Sequence, residues 1–191
     1  MTRIPGTKPS RGLAEFAGEY EHPGYGTLRI AFNREKLEAT FNGIATPLEH
    51  WHYDTFNGGT AKDNTFVNMK YTFQTDATGF VSSISVPFEP SVKEIVFVKK
   101  PDARLSDPAY LARYAADYIL TGQTINISLK GSALVANLPG QPQLDLTPTL
   151  SGDFAIKQTR IVTFHFVTND RGEVSGFELR QPGTTLTATR K

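Results

Sequence analysis

Leu13-Ala-Glu-Phe-Ala-Gly-Glu-Tyr20 returns as Leu111-Ala-Arg-Tyr-Ala-Ala-Asp-Tyr118. Further along, Phe73-Gln-Thr-Asp-Ala-Thr-Gly-Phe-Val-Ser82 returns as Phe166-Val-Thr-Asn-Asp-Arg-Gly-Glu-Val-Ser175. The order is kept while the offset drifts from 98 to 93 residues, so the repeated unit has the size of a domain and not of a solenoid turn. Two units are expected, residues 1–100 and 101–191.

Each copy begins with a short helix and then changes period. Ser10 is placed to cap a helix over Gly12 to Ala17. In the second copy Asp107 is a good N-cap, Pro108 suits a first helical turn and Ala109 to Ala116 are good helix formers. After the helices, Thr27-Leu-Arg-Ile-Ala-Phe32 and Thr124-Ile-Asn-Ile-Ser-Leu129 alternate with period two. Further strands are expected at Leu37 to Phe41 and Ala133 to Asn137. Met69 to Thr75 and Val162 to Thr168 follow, each running into a four-residue turn that ends in glycine, Asp76-Ala-Thr-Gly79 and Asn169-Asp-Arg-Gly172. The return strands are Val81 to Val86 and Val174 to Leu179, and the last are Glu94 to Val98 and Thr185 to Thr189. Seven or eight short strands in roughly 85–90 residues, joined by short turns with no helical crossovers, predict an all-β fold. The expected architecture is two tandem eight-stranded antiparallel up-and-down barrels of the lipocalin-like kind, each preceded by a short helix. A barrel of that strand number is filled by side chains or holds one small ligand.

Bulk composition removes several classes of function. Net charge is +1, which offers no electrostatic footprint for nucleic acid. Cysteine is absent, which excludes disulfides, thiolate metal sites and cysteine nucleophiles. No apolar run approaches a membrane span, so no membrane insertion is expected. Met1 to Ser10 has no hydrophobic core of the secretory kind and reads as a linker or an ordered lead-in. No Ser-x-x-Lys, Gly-x-Ser-x-Gly, His-Glu-x-x-His or phosphate-binding loop occurs, so the chain is read as non-enzymatic and no catalytic residue or cofactor is assigned.

The densest chemistry is Glu49-His50-Trp51-His52-Tyr53-Asp54. On a regular strand His50 and His52 face one side while Trp51 and Tyr53 face the other. Two imidazoles so placed are half of a metal site that needs a third ligand such as Glu49, Asp54 or His22. The plainer reading, which is preferred, makes Trp51 and Tyr53 packing groups at the barrel mouth and gives the histidines solvent or backbone partners; no metal ligand is assigned. Candidate contacts for a ligand or partner are therefore His50, Trp51, His52, Tyr53 and Asp54, with His22 and Tyr25 from the His22-Pro-Gly-Tyr25 turn. Copy two lacks the tryptophan and the paired histidines and is shorter between Trp51 and Asn64. His165 alternates with Phe164 and Phe166 and is read as a surface or satisfied histidine.

Three stretches, Leu13 to Gly26, Pro47-Leu-Glu-His-Trp-His-Tyr-Asp-Thr-Phe56 and Phe73-Gln-Thr-Asp76, resemble an accessory domain of unknown function of the DUF3471 type. In that family the domain lies C-terminal to serine β-lactamase-like, penicillin-binding-protein-like hydrolase domains. The tandem is similar to the two C-terminal barrels of D-aminopeptidase-type hydrolases. The resemblance implies a non-catalytic region that packs on a β-lactamase-like catalytic domain, in cis or in trans, and shapes substrate access through a barrel loop. It implies a periplasmic or extracellular setting. The alternative is a lipocalin-like binder of a small apolar ligand, with copy one as the binding copy.

Overall fold

The computed structural model describes residues 2–59, 65–89, 91 and 93–191. It divides into two compact units, Met1–Lys100 and Pro101–Lys191. In the first, α1 (Leu13–Phe16) leads into β1 (Gly18–His22), β2 (Gly26–Asn33), β3 (Lys36–Phe41) and β4 (Ile44–His52). Then follow β5 (Thr55–Gly58), β6 (Lys70–Thr75), β7 (Val81–Val86) and β8 (Ile95–Lys99). In the second, α2 (Pro108–Leu111) sits between 3-10 turns at Ala103–Ser106 and Ala112–Tyr114. It precedes β9 (Ala116–Leu120), β10 (Gln123–Lys130), β11 (Ala133–Asn137) and β12 (Leu144–Pro148). The remaining strands are β13 (Phe154–Ile156), β14 (Thr163–Thr168), β15 (Val174–Gln181) and β16 (Thr184–Arg190).

Every strand pairs antiparallel with the next, and the last returns to the first, giving two closed eight-stranded up-and-down barrels. Closure joins Tyr20 to Lys99 and Glu21 to Val98 in one barrel. In the other, Ala188, Thr189 and Arg190 join Leu120, Ile119 and Tyr118.

The alternating segments bury one face, as period two requires. Leu28 and Ile30 of β2, and Ile125 and Ile127 of β10, are all at most 2% exposed. One end of each barrel is filled by the same group of rings. Phe16, Phe56 and Phe73 meet edge to face at centroid distances of 4.9–5.6 Å, with Tyr20 5.9 Å from Phe73. Tyr114, Phe154 and Phe166 stand at 4.5–5.9 Å, with Tyr118 6.0 Å from Phe166. Such ring pairs contribute about 0.5–1.5 kcal/mol beyond their burial. Rings thus pack the part of each interior that these clusters span.

The helices are shorter than propensity suggests. Ser10 does not cap α1; Gly12 is its N-cap, with the Gly12 N–H donating to Glu15 Oε1 at 3.1 Å. Ser10 is drawn away by Asp54, whose carboxylate takes both its N–H and its hydroxyl at 2.7 Å. Asp107 does cap α2, accepting from the Ala109 N–H at 3.1 Å. Strands β1 and β9 then begin at Gly18 and Ala116, where continued helix would forfeit the ladder with β2 and β10. The two predicted glycine-ended turns match bond for bond. Gly79 and Gly172 have φ of +86° and +75°, and their N–H groups reach Asp76 O and Asn169 O at 2.9 Å.

Candidate functional site

The Glu49–Asp54 segment lies where β4 turns into β5. A bulge interrupts the ladder there: His50 pairs with Phe56, but His52 pairs with Thr55. Directly paired residues share a face of the sheet. Phe56 belongs to the interior cluster, whereas Thr55 meets Thr72 hydroxyl to hydroxyl at 3.2 Å. His50 and His52 therefore fall on opposite faces, contrary to the regular-strand expectation, because the extra residue in the bulge reverses the alternation.

His50 stands 5.6 Å from the Phe56 ring, and its Nε2–H donates to the Tyr53 carbonyl at 2.9 Å. His52 is 6% exposed, and its Nδ1 accepts the Ile4 N–H at 3.3 Å. Tyr53 occupies the turn with φ +45°, its ring 57% exposed, and its N–H donates to Thr7 Oγ1 at 3.1 Å. The Trp51 carbonyl accepts from Arg3 Nε at 3.0 Å. Over the Trp51 ring stands Lys70 Nζ, 4.3 Å from its centroid, with the Arg3 guanidinium at 5.9 Å. Lys70 also donates to Asn57 Oδ1 at 2.5 Å and to the Asn68 carbonyl at 3.0 Å. Loss of hydration lowers the Lys70 pKa from its usual value. Trp51 Nε1 is buried without a hydrogen-bond partner among the described residues.

Each of Trp51, His52, Tyr53 and Asp54 thus contacts the lead-in residues 3–10. Among the described residues no group of three metal-ligating side chains forms. The part of the expected copy-one loop at residues 60–64 lies outside the described residues.

His22 and Tyr25 belong elsewhere, at the β1–β2 turn. His22 Nδ1 accepts from the Gly24 N–H at 3.0 Å, and its ring stands 5.1 Å from Tyr25. The Tyr25 hydroxyl donates to Glu89 Oε1 at 2.6 Å, and that bond, with burial and the carboxylate charge, raises its pKa. Both rings pack on Phe97, at 5.7 and 6.5 Å, beside Phe41, Phe66 and Phe88. The seven candidate residues therefore form two groups.

A charged cluster in the second barrel escaped the sequence reading. Asp153, 8% exposed, accepts from His165 Nδ1 at 2.7 Å, and Arg180 stands 3.5 Å from its other oxygen. Arg180 in turn pairs with Glu178 at 2.8 Å. The signal lay in the repeat: Asp153 and His165 occupy the positions of Thr55 and Thr72. A cleft of about 500 Å³ at the helix end of the same barrel is lined by Tyr110, Arg113, Gly172, Glu173, Val174 and Arg190.

The model of a family described as a domain of unknown function, DUF3471, matches residues 2–99. A solved structure, the C-terminal domain of penicillin-binding protein Rv0907, is similar at 17% identity and a TM-score of 0.43. The alignment covers 52% of this chain and 94% of that one. No curated protein matches.

Proposed function

This chain belongs to the DUF3471 family of domains of unknown function, and from that membership we propose that it is a non-catalytic accessory region of a β-lactamase-like serine hydrolase. It packs on the catalytic domain, in cis or as a separate partner, and a loop of the first barrel shapes access of substrate to the cleft. The setting is the periplasm or the cell exterior. No helix among the described residues is long and apolar enough to cross a membrane.

The observation that carries this reading is how the polar groups of the densest motif are used. His50, His52, Tyr53 and Asp54 spend their hydrogen-bonding groups on the chain's own backbone and hydroxyls. None is aimed with a nucleophile and an orienting partner in the way acyl transfer requires. The clusters of buried rings inside both barrels support a packing unit over a reaction vessel.

The test uses the β-lactamase-like domain encoded in the same reading frame or beside it. That domain is purified with and without this chain, and kcat/KM is measured on D-amino-acid amides, esters and β-lactams. The expected result is turnover only with the catalytic domain present, altered at least several-fold when this chain is added or fused. Turnover by this chain alone, or no association and no kinetic change, overturns the proposal.

A further inference from the structure

The cleft at the helix end of the second barrel has a filled counterpart in the first. A Cβ on Gly79 would run into the Arg11 guanidinium, so Arg11 occupies the hollow beside that turn. The residue 98 positions after Arg11 is Ala109, which lines the cleft with a methyl group only. Beside Gly172, the glycine of the matching turn, a Cβ would meet nothing within 4 Å. The hollow is therefore open in the second copy. Its volume of about 500 Å³ lies within the roughly 300–1,000 Å³ of small-molecule sites.

The charge of the place has changed as well. Arg190 pairs with Tyr118 across the closing ladder, as Lys99 pairs with Tyr20. Lys99 Nζ donates to the Glu15 carbonyl at 2.6 Å, and the Glu15 charge favours its ammonium. The residue 98 positions after Glu15 is Arg113, and Arg190 Nη1 donates to its carbonyl at 3.0 Å. A cation beside an acid has become two guanidiniums side by side. Their protein partners are neutral: Arg113 Nη2 donates to the Gly172 carbonyl at 2.7 Å, and Arg190 Nη1 also to the Val174 carbonyl at 3.2 Å. Among the described residues no carboxylate forms an ion pair with either. Glu173, on the cleft wall, accepts from Asn169 Nδ2 at 3.0 Å. The third guanidinium nearby, Arg104, is taken up by Asp102 at 2.6 Å. The Tyr110 ring, 5.1 Å from the Arg113 guanidinium, and Val174 supply an apolar wall.

We propose that this cleft binds a small organic carboxylate with an apolar body. The carboxylate sits on Arg113 beside Arg190, and the body lies along Tyr110 and Val174 in the space left by Ala109. A planar guanidinium fork matches a carboxylate and leaves little gain for a neutral isostere. The Glu173 charge on the wall disfavours a dianion, which selects a monocarboxylate over phosphate. The site lies wholly within the second unit and stands whether or not the chain serves a hydrolase.

The test uses the full 191-residue chain and follows backbone amide shifts by NMR. The probes are N-acetyl-L-phenylalanine, its uncharged amide N-acetyl-L-phenylalaninamide, acetate and inorganic phosphate. N-acetyl-L-phenylalanine should give saturable shifts centred on Ala109, Gly172 and Glu173. The amide should bind at least about tenfold more weakly, the scale of a lost charge-assisted bond. Acetate and phosphate should both bind more weakly than N-acetyl-L-phenylalanine. Arg113→Met keeps an apolar stem without the charge and should weaken binding at least about tenfold. Ala109→Phe fills the hollow with a neutral ring from an exposed position and should abolish binding. No saturable shifts at these residues, or binding undiminished in Ala109→Phe, overturns the site. Equal affinity for the amide, or tighter binding of phosphate, overturns the carboxylate, and equal affinity for acetate overturns the apolar body. The probe comparisons use the wild-type chain, so they decide the ligand class even if Arg113→Met fails to fold.

Discussion

Tyr20 donates its hydroxyl to the carbonyl of Phe16 at 2.6 Å, from a position with no solvent exposure. Tyr118 does the same to Tyr114 at 2.7 Å. In each copy the bond runs from the first strand back to the end of the short helical segment, so it fixes how the chain enters the barrel. Removing the hydroxyl leaves a buried carbonyl without its partner. Tyr20→Phe and Tyr118→Phe should each cost about 1–3 kcal/mol, read as a lower urea midpoint with unchanged slope.

Stability should fall in alkali. Burial pushes the Tyr20 hydroxyl far above its ordinary value, raises Tyr118, and carries Tyr71 and Tyr114 up to about 12. A free tyrosine titrates near about 10. The folded state therefore keeps protons that the unfolded chain releases. The stabilising contribution is complete below about pH 10 and is lost progressively above it. Thermal melts between pH 8 and 12 check this, and Tyr20→Phe should flatten part of the decline.

The Asp153–His165 pair should behave as a replaceable unit. His165→Thr alone removes the shortest partner of a largely buried carboxylate, leaving Arg180 at 3.5 Å, and should cost about 1–3 kcal/mol. Asp153→Thr with His165→Thr rebuilds the Thr55–Thr72 pair of the first copy, whose oxygens are 3.2 Å apart. The double variant should lose less than the sum of the single ones, a coupling a double-mutant cycle reads directly.

Gly176 is required by space. A Cβ there would run into the Ala188 carbonyl across the β15–β16 ladder. Backbone cannot yield as a flexible side chain does, so Gly176→Ala should cost about 1–3 kcal/mol, the usual scale of overpacking. Ala substitution at Gly131, whose Cβ would meet nothing, separates this steric term from strain, since its φ is +64°.

Much of the fold was legible in residues. Period-two alternation located β2, β3, β10 and β11, and the Asp76 and Asn169 turns carried their own side-chain bonds. Strand β9 was hidden because the helix formers before it run on to Ala116 without a break, and β1 because its five residues from Gly18 to His22 are too few to show a period. Short strands β5 and β13 have too few residues to show a period. At the site, the chemistry of His50 to Asp54 was visible in the sequence but its geometry was not. A one-residue bulge is silent in sequence, yet it sends the two imidazoles to opposite faces. Nor can spacing reveal that Ser10 and Asp54, 44 residues apart, are partners.

Closure of the first barrel joins strands near opposite ends of its unit, Tyr20 with Lys99. On the ribosome, β1 must wait with one flank open until β8 has been made and has left the exit tunnel. Contacts of such long sequence separation form slowly. By that time the helix and first strand of the second copy are already being synthesised, so two related but unequal sequences are folding side by side. Adjacent copies more alike than these would offer each other competing partner strands at that stage.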